Sequence, residues 1–298
     1  MTRRLGIAIL AALHAAILFA GWLAPYPYDE QHREFPYTSP SFAVRAPQES
    51  GTQCRLEWLR DGHLFGTPSP CGIFLLGTDA FGRDVLSRLL YGGRISVLAG
   101  LAATLLALAL GTAAGTISGF YGGWPDAVLM RGGELLLALP WLYLLLAVRA
   151  ILPLHIPTTQ AWVLVVGIIG SLGWVRPARL VRSVVMSARE RGYVQAARGF
   201  GASGVYLIRR HILPETTGVV RTQATLLVPQ FILAEVTLSF LGLGISEPVP
   251  SWGNMLAEAR QYSALVTHTW LLAPGVVLIP LLLGYFMLAD GLREVQQD

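Results

Sequence analysis

The sequence predicts an all-α membrane protein with six transmembrane helices and both termini on the cytoplasmic side. Three observations carry that prediction. Of 298 residues, 53% are hydrophobic and 13% charged, with a mean hydropathy of +0.53; a water-facing globule carries about twice that share of charge. The apolar residues gather in six runs close to the roughly 20 residues that a helix needs to cross hydrocarbon about 30 Å thick. The 22 basic residues, every one of them arginine, concentrate in the segments that this count places inside. Two cysteines are too few for a disulfide-built secreted scaffold, and the apolar share excludes a disordered chain.

The elements follow in order. Span 1 covers residues 5–23. Arg3 and Arg4 precede it and Asp29 and Glu30 follow it, which sets the N-terminus inside. Its apolar run of about 19 residues exceeds the 7–15 of a signal-peptide core, so it reads as a retained anchor. The loop over 24–94 is polar, proline-rich and acidic, and it carries Cys54 and Cys71, on the oxidising side if the membrane is a bacterial inner one. A disulfide closing this loop and two unpaired thiols both stay open, since spacing does not set the Cα separation that a bridge needs. Span 2 covers 95–117 and span 3 covers 135–152. Arg149 is expected to snorkel to the interface, and Asp126 and Glu134 to form a cytoplasmic rim network near Arg131. Span 4, 158–175, contains Gly167, Gly170 and Gly173, which suit close helix packing. Residues 176–221 then hold nine arginines against Glu190 and Glu215, whereas the 153–157 loop has no arginine. Spans 5 and 6 cover 222–245 and 270–289. The chain thus divides into an anchor with its loop, 1–94, and a transmembrane core, 95–298, with the 176–221 segment inside.

Composition also limits the chemistry. Without lysine there is neither a phosphate-binding P-loop nor a Schiff-base amine, so any ATP that drives this protein is hydrolysed on another chain. The six histidines form no zinc-type spacing, and no Gly-x-Ser-x-Gly elbow occurs. Gly199 to Gly204 formally spells GxGxxG, but no hydrophobic strand precedes it, as a dinucleotide site requires. No catalytic residue, cofactor or metal site is expected in the chain. The arginines follow topology, so nucleic acid is not an expected partner.

The same glycine-containing region reads as a helical device. Residues 193–200 are apolar on one side, with Arg191 and Arg198 available to the other. Gly201 and Gly204 turn the chain, and 205–212 form a second amphipathic turn that Pro214 is expected to stop. Such a basic helix–turn–helix suits either docking on a partner or lying against anionic lipid. Glu235 sits inside span 5, about ten residues from its outer end, where an ionisable group is a functional candidate. It either faces a translocation path or hydrogen-bonds a polar neighbour.

Several ordered blocks then carry a resemblance. Gln195-Ala196-Ala197, Gly201 and Leu213-Pro214 resemble the EAA loop of ABC importer permeases, with Gln195 where that pattern has Glu and His211 where it has Ile. The stretch Arg210 to Pro214 resembles the form found in the dipeptide/oligopeptide/nickel subgroup. So do GTDAFGRDVLSRLLYGGRIS (77–96), GFYGGWPDAVLMR (119–131), and LSFLGLG (238–244) followed by SWGNML (251–256). The resemblance runs from Gly77 to the C-terminus and leaves 30–75 unmatched.

It implies a type I importer permease fold, one anchor helix plus a five-helix core. It also implies coupling to two ABC ATPase subunits, which bind ATP and Mg, through Gln195, Ala196, Ala197, Arg198, Gly201, Leu213 and Pro214. Arg191 and Arg198 are the candidates for pairing with acidic groups on the ATPase. Further implied partners are a second homologous permease, an extracytoplasmic solute-binding protein and the lipid bilayer. Peptides fit this resemblance best; nickel or another small solute, and a self-sufficient secondary transporter, are the alternatives.

Overall fold

A computed structural model describes residues 2–46, 54–59, 62–68, 71–151, 153 and 156–295. The chain begins with α1 (Thr2–Leu18) and α2 (Ala20–Leu23), then a long loop containing the hairpin β1 (Glu57–Trp58) and β2 (Phe65–Gly66). The helices α3 (Val85–Tyr121), α4 (Gly123–Ala138), α5 (Trp141–Ile151), α6 (Thr158–Gly173), α7 (Val175–Arg189) and α8 (Gly192–Gly199) follow. Next come α9 (Gly204–Leu207), a π turn (Ile208–Ile212), α10 (Leu213–Phe240), α11 (Trp252–Glu258), α12 (Tyr262–Thr267), a 3₁₀ turn (Thr269–Leu272) and α13 (Ala273–Val295).

Among the described residues, three helical stretches are long and apolar enough to cross a membrane: Val85–Tyr121, Gly204–Phe240 and Thr269–Gly291. Two bent pairs also qualify if each counts as one span, giving five: α4 with α5, bent by 95°, and α6 with α7, bent by 41°. Predicted span 1 is broken at Phe19 between α1 and α2. Predicted span 3 is not one helix. Leu139, ahead of Pro140, is extended (ψ 140°), because the proline ring disfavours helical backbone in the residue before it. Its predicted end at residue 152 lies outside the described residues. Span 5 ends at Phe240, five residues early. There Leu243 N–H bonds the Leu238 carbonyl and Gly242 N–H that of Ser239, with Gly242 at φ +77°, so a Schellman motif closes the helix.

The chain forms two compact units. The first comprises 1–99, 155–162 and 235–284. Its loop packs on Tyr26, Ile73 and Phe74; the Tyr26 hydroxyl accepts Ile73 N–H (2.8 Å) and bonds the Thr67 hydroxyl (2.8 Å). Glu57 pairs with Gly66 and Trp58 with Phe65 across the hairpin. Cys54 and Cys71 are joined through their sulfurs with Cα atoms 5.7 Å apart. Closing a loop of that length stabilises a fold by about 3 kcal/mol in the chain-entropy account. Reduction is therefore expected to slow the denatured chain on a gel, and Cys54→Ser to abolish the difference; identical mobility with and without reductant would show free thiols. Fully buried Trp252 donates from its indole to the Leu89 carbonyl (2.9 Å) and, with Ile17, leaves no room for a side chain at Gly93.

The second unit comprises 100–154, 163–234 and 285–298. A glycine stripe on α3 lets α7 approach to backbone contact. A Cβ at Gly111 would lie 2.8 Å from the Trp174 carbonyl oxygen, one at Gly115 2.4 Å from that of Ala178, and one at Gly119 2.8 Å from that of Arg182. Four-residue spacing puts all three on one face, the small-residue pattern of close membrane-helix pairs. Asp126 of α4 accepts both Nε and Nη2 of Arg182 (2.6 Å each), and Glu134 accepts from Arg179 (3.2 Å). The partners of these acids are thus α7 arginines rather than Arg131. Arg149 is buried, not snorkelling: its Nη1 caps the Pro153 carbonyl at 3.0 Å, beyond the end of α5.

Candidate functional site

Between α7 and α10 the chain makes a small helical projection on a buried root. α8 ends at Gly199; Phe200 N–H and Gly201 N–H close onto the Ala196 and Arg198 carbonyls, and Gly201 takes φ +83°. No atom lies within 4 Å of a Cβ built there, so the glycine answers to backbone conformation and not to crowding within the chain. Ser203 then N-caps α9, its hydroxyl accepting Tyr206 N–H (3.3 Å). The root is Ile212, fully buried with Val181, Val185 and Ala188 of α7.

Pro214 does not stop the second helix. The chain is helical from Gly204 to Phe240, through the π turn, where Leu213 N–H reaches back five residues to the Ile208 carbonyl. An inserted residue of this kind absorbs the missing proline N–H and its steric demand.

Gln195, Ala196, Arg198, Gly201 and Pro214 are exposed, with Ala197 and Leu213 half-buried. The Gln195 amide donates to the Arg189 carbonyl (3.1 Å), bracing α8 against the end of α7. Arg191 is engaged within the chain: it and the Tyr193 hydroxyl both donate to Glu215 Oε1, at 2.9 and 2.8 Å. Arg198 lies 5.7 Å over the Phe120 ring. Phe200, at the tip, is 93% exposed, and Val205, Tyr206 and Tyr193 are exposed beside it. A projection with a fixed root and an apolar, basic tip has the form of a surface awaiting a partner.

Two clusters in the first unit complete the chemistry. The block 77–88 is a tight turn: Asp79 Oδ1 accepts the N–H groups of Phe81 and Arg83 (2.8 and 2.9 Å), and a Cβ at Gly82 (φ +73°) would collide with the His32 carbonyl. Arg83 bonds Asp79 (2.6 Å), Glu247 (2.6 Å) and Glu258 (3.3 Å), and Arg88 bonds Glu247 (2.6 Å). Asp84 caps α3 through Ser87 N–H (2.7 Å), and burial pushes its carboxyl up to about 7. Nothing in the sequence pattern paired these five charged residues across about 170 positions, although charges in so apolar a chain mark themselves out. The second cluster surrounds Glu235, which is fully buried. Ser239 donates to its Oε1 at 2.7 Å, and the hydroxyls of Ser96 and Ser251 lie beside it.

Residues 111–294 match the family described as binding-protein-dependent transport system inner membrane component. The chain is 35% identical over 291 residues, 97% of its length and 85% of the relative's, to the di/tripeptide transport system permease protein DppC of Pseudomonas aeruginosa. Over 218 residues, 73% of this chain and 69% of the relative, it is 39% identical to the dipeptide transport system permease protein DppC of Alkalihalophilus pseudofirmus. Over 232 residues, 78% of this chain and 72% of the relative, it is 36% identical to the oligopeptide transport system permease protein OppC of Haemophilus influenzae. The protein therefore belongs to the family of inner membrane components of binding-protein-dependent transport systems, as a multi-pass, helical permease of the bacterial inner membrane.

Proposed function

We propose that the chain forms half of the translocation pathway of an ABC importer for di- and oligopeptides, and that the α8–α9 projection is its coupling helix. The observation that carries this is the projection itself: Phe200 and its neighbours stand exposed on a root fixed by Ile212. The names of the relatives support a peptide substrate. In this reading the fold has six spans, with α1–α2 as anchor and both termini inside, so that the nine arginines of 176–221 meet the cytoplasm. The chain is non-catalytic and holds no cofactor; ATP and Mg sit on two ATPase subunits. A second permease completes the pathway, and an extracytoplasmic binding protein delivers the peptide. Closure of the ATPases on nucleotide would move the projection, and the helices rooted at Ile212 with it.

The test is Gly201→Asp beside Gly201→Asn. Both side chains tolerate a left-handed backbone better than other residues, and the chain leaves space for either. The aspartate adds a charge that an ATPase cleft must desolvate. Insertion and recovery of both variants are expected to match wild type, with dipeptide uptake falling at least about tenfold in Gly201→Asp and much less in Gly201→Asn. Wild-type uptake in Gly201→Asp would sink the coupling assignment.

A further inference from the structure

In the second unit, α4, α7 and α10 leave a groove of about 490 Å³, within the range of small-ligand sites. Four leucines line it together with Arg176, Arg179, Gln223 and Gln230. Arg179 is paired with Glu134 at 3.2 Å. Arg176, Gln223 and Gln230 make no hydrogen bond or ion pair with any described residue. The two glutamines are seven residues apart on α10 and so share one face. Gln223 stands at the cytoplasmic end of the predicted span and Gln230 well within it, where an unpaired amide is costly and an acyl chain cannot satisfy it. Yet both are turned into a groove rather than toward a neighbouring helix.

What fits such a wall must donate and accept hydrogen bonds along its length and carry a negative charge at one end. Each glutamine offers a donor pair and an acceptor, the complement of a peptide group, and a guanidinium takes a carboxylate in a paired geometry. The leucines between them accept side chains without selecting among them. We propose that this groove contacts the peptide in transit, Arg176 receiving its C-terminal carboxylate and Gln223 and Gln230 its backbone amides. This rests on the reading of the protein as a peptide importer. Specificity of this kind ignores side-chain identity and requires a free C-terminus.

The test uses the complete transporter in its own membrane and compares uptake of a dipeptide with uptake of the same dipeptide amidated at its C-terminus. Each uptake is normalised to wild type for the same peptide, which cancels the preference of the delivering binding protein. Arg176→Gln is expected to lower uptake of the free acid about fivefold and to leave the amide within about twofold. An equal fall in both makes Arg176 a framework residue and overturns the proposal. If wild type does not carry the amide, a second measurement decides. Cys54 and Cys71 are joined, so Gln230→Cys supplies the free thiol. A water-soluble maleimide is expected to label it in the resting transporter, with labelling at least about threefold slower during dipeptide turnover. A thiol that never labels, because lipid or the second permease covers it, overturns the groove as a peptide site. So does labelling that peptide leaves unchanged. Wild type that takes up no peptide at all ends the importer reading first, and this proposal with it.

Discussion

Arg88→Ala is expected to lower the melting temperature of the detergent-purified protein by on the order of 10 °C, reflecting a loss of about 3–5 kcal/mol. The Arg88 side chain is 1% exposed and lies among three carboxylates, Asp79, Glu247 and Glu258, that it balances together with Arg83. With all three acids ionised the cluster carries −1, two guanidiniums against three carboxylates; removing one guanidinium takes it to −2 around Asp79, whose side chain is 2% exposed. Arg88→Lys is expected to recover little, since an ammonium cannot hold Glu247 through two nitrogens, as Arg88 does at 2.6 and 3.4 Å. A melting temperature within about 2 °C of wild type in Arg88→Ala would show that the cluster contributes nothing net, as some buried ion pairs do.

The same cluster sets a pH dependence. Burial, and next the charge of Asp79, push the Glu258 carboxyl up to about 7, against the pull of Arg88 and Arg83 and with a further push from Glu247. A carboxyl raised in the folded state takes up its proton more readily there than when unfolded. Its contribution to stability is present below the ordinary carboxyl range and is lost as pH rises through about 7. Asp84 acts in the same direction. His32, held neutral by burial, acts in the opposite one, since acid charges the unfolded chain first. The difference between wild type and Glu258→Gln isolates the one group. The variant is expected to melt higher than wild type at pH 8 and to lose that advantage progressively as pH falls from about 7 to 4.5. A constant difference across that range would deny Glu258 the raised pKa.

Much of the fold was legible because membrane physics writes plainly. Spans 2 and 6 fall inside helices long enough to cross, and span 5 does as far as Phe240, since uninterrupted apolar runs with few charges leave the backbone no alternative. The breaks were less legible. Pro140 stood inside predicted span 3 and does bend it, yet Pro214, expected to stop a helix, is carried by the π turn at Ile208–Ile212. The difference lies in whether one extra residue can be taken up in the preceding turn, which composition does not reveal. The stripe Gly111, Gly115, Gly119 is a four-residue repeat in the sequence, but which helix it admits is set by tertiary packing. In the site, exposure of Ala196 and Gly201 follows from their setting on a short helix between two turns. That Arg191 meets Glu215 depends on how α8 folds back toward α10, a tertiary fact. The ion cluster was hidden for the same reason.

Glu235→Leu is expected to destabilise the protein by about 3 kcal/mol, and Glu235→Gln by less than about 1 kcal/mol with transport retained. The arrangement explains the difference. Three serine hydroxyls each accept a backbone N–H: Ser239 from Ile245 (3.1 Å), Ser96 from Trp252 (3.1 Å), Ser251 from Asn254 (3.2 Å). Each keeps one proton, and all three gather at the Glu235 carboxyl, with Ser239 donating at 2.7 Å. The acid thereby orients Ser239 directly and stands among the hydroxyls that pin the segment from Ile245 to Asn254, including the start of α11. That segment also brings in Glu247, an acceptor for both Arg83 and Arg88. Leucine leaves the Ser239 hydroxyl proton buried without its acceptor, a penalty of about 1–3 kcal/mol if it finds no new partner. Glutamine keeps the carbonyl oxygen for Ser239, and its amide finds free lone pairs on the other two serines. A Glu235→Gln protein that melts like wild type but transports nothing would require the charge itself, moving Glu235 from holding the segment to meeting the substrate. A Glu235→Leu protein as stable as wild type would show that the three serines hold the segment without it.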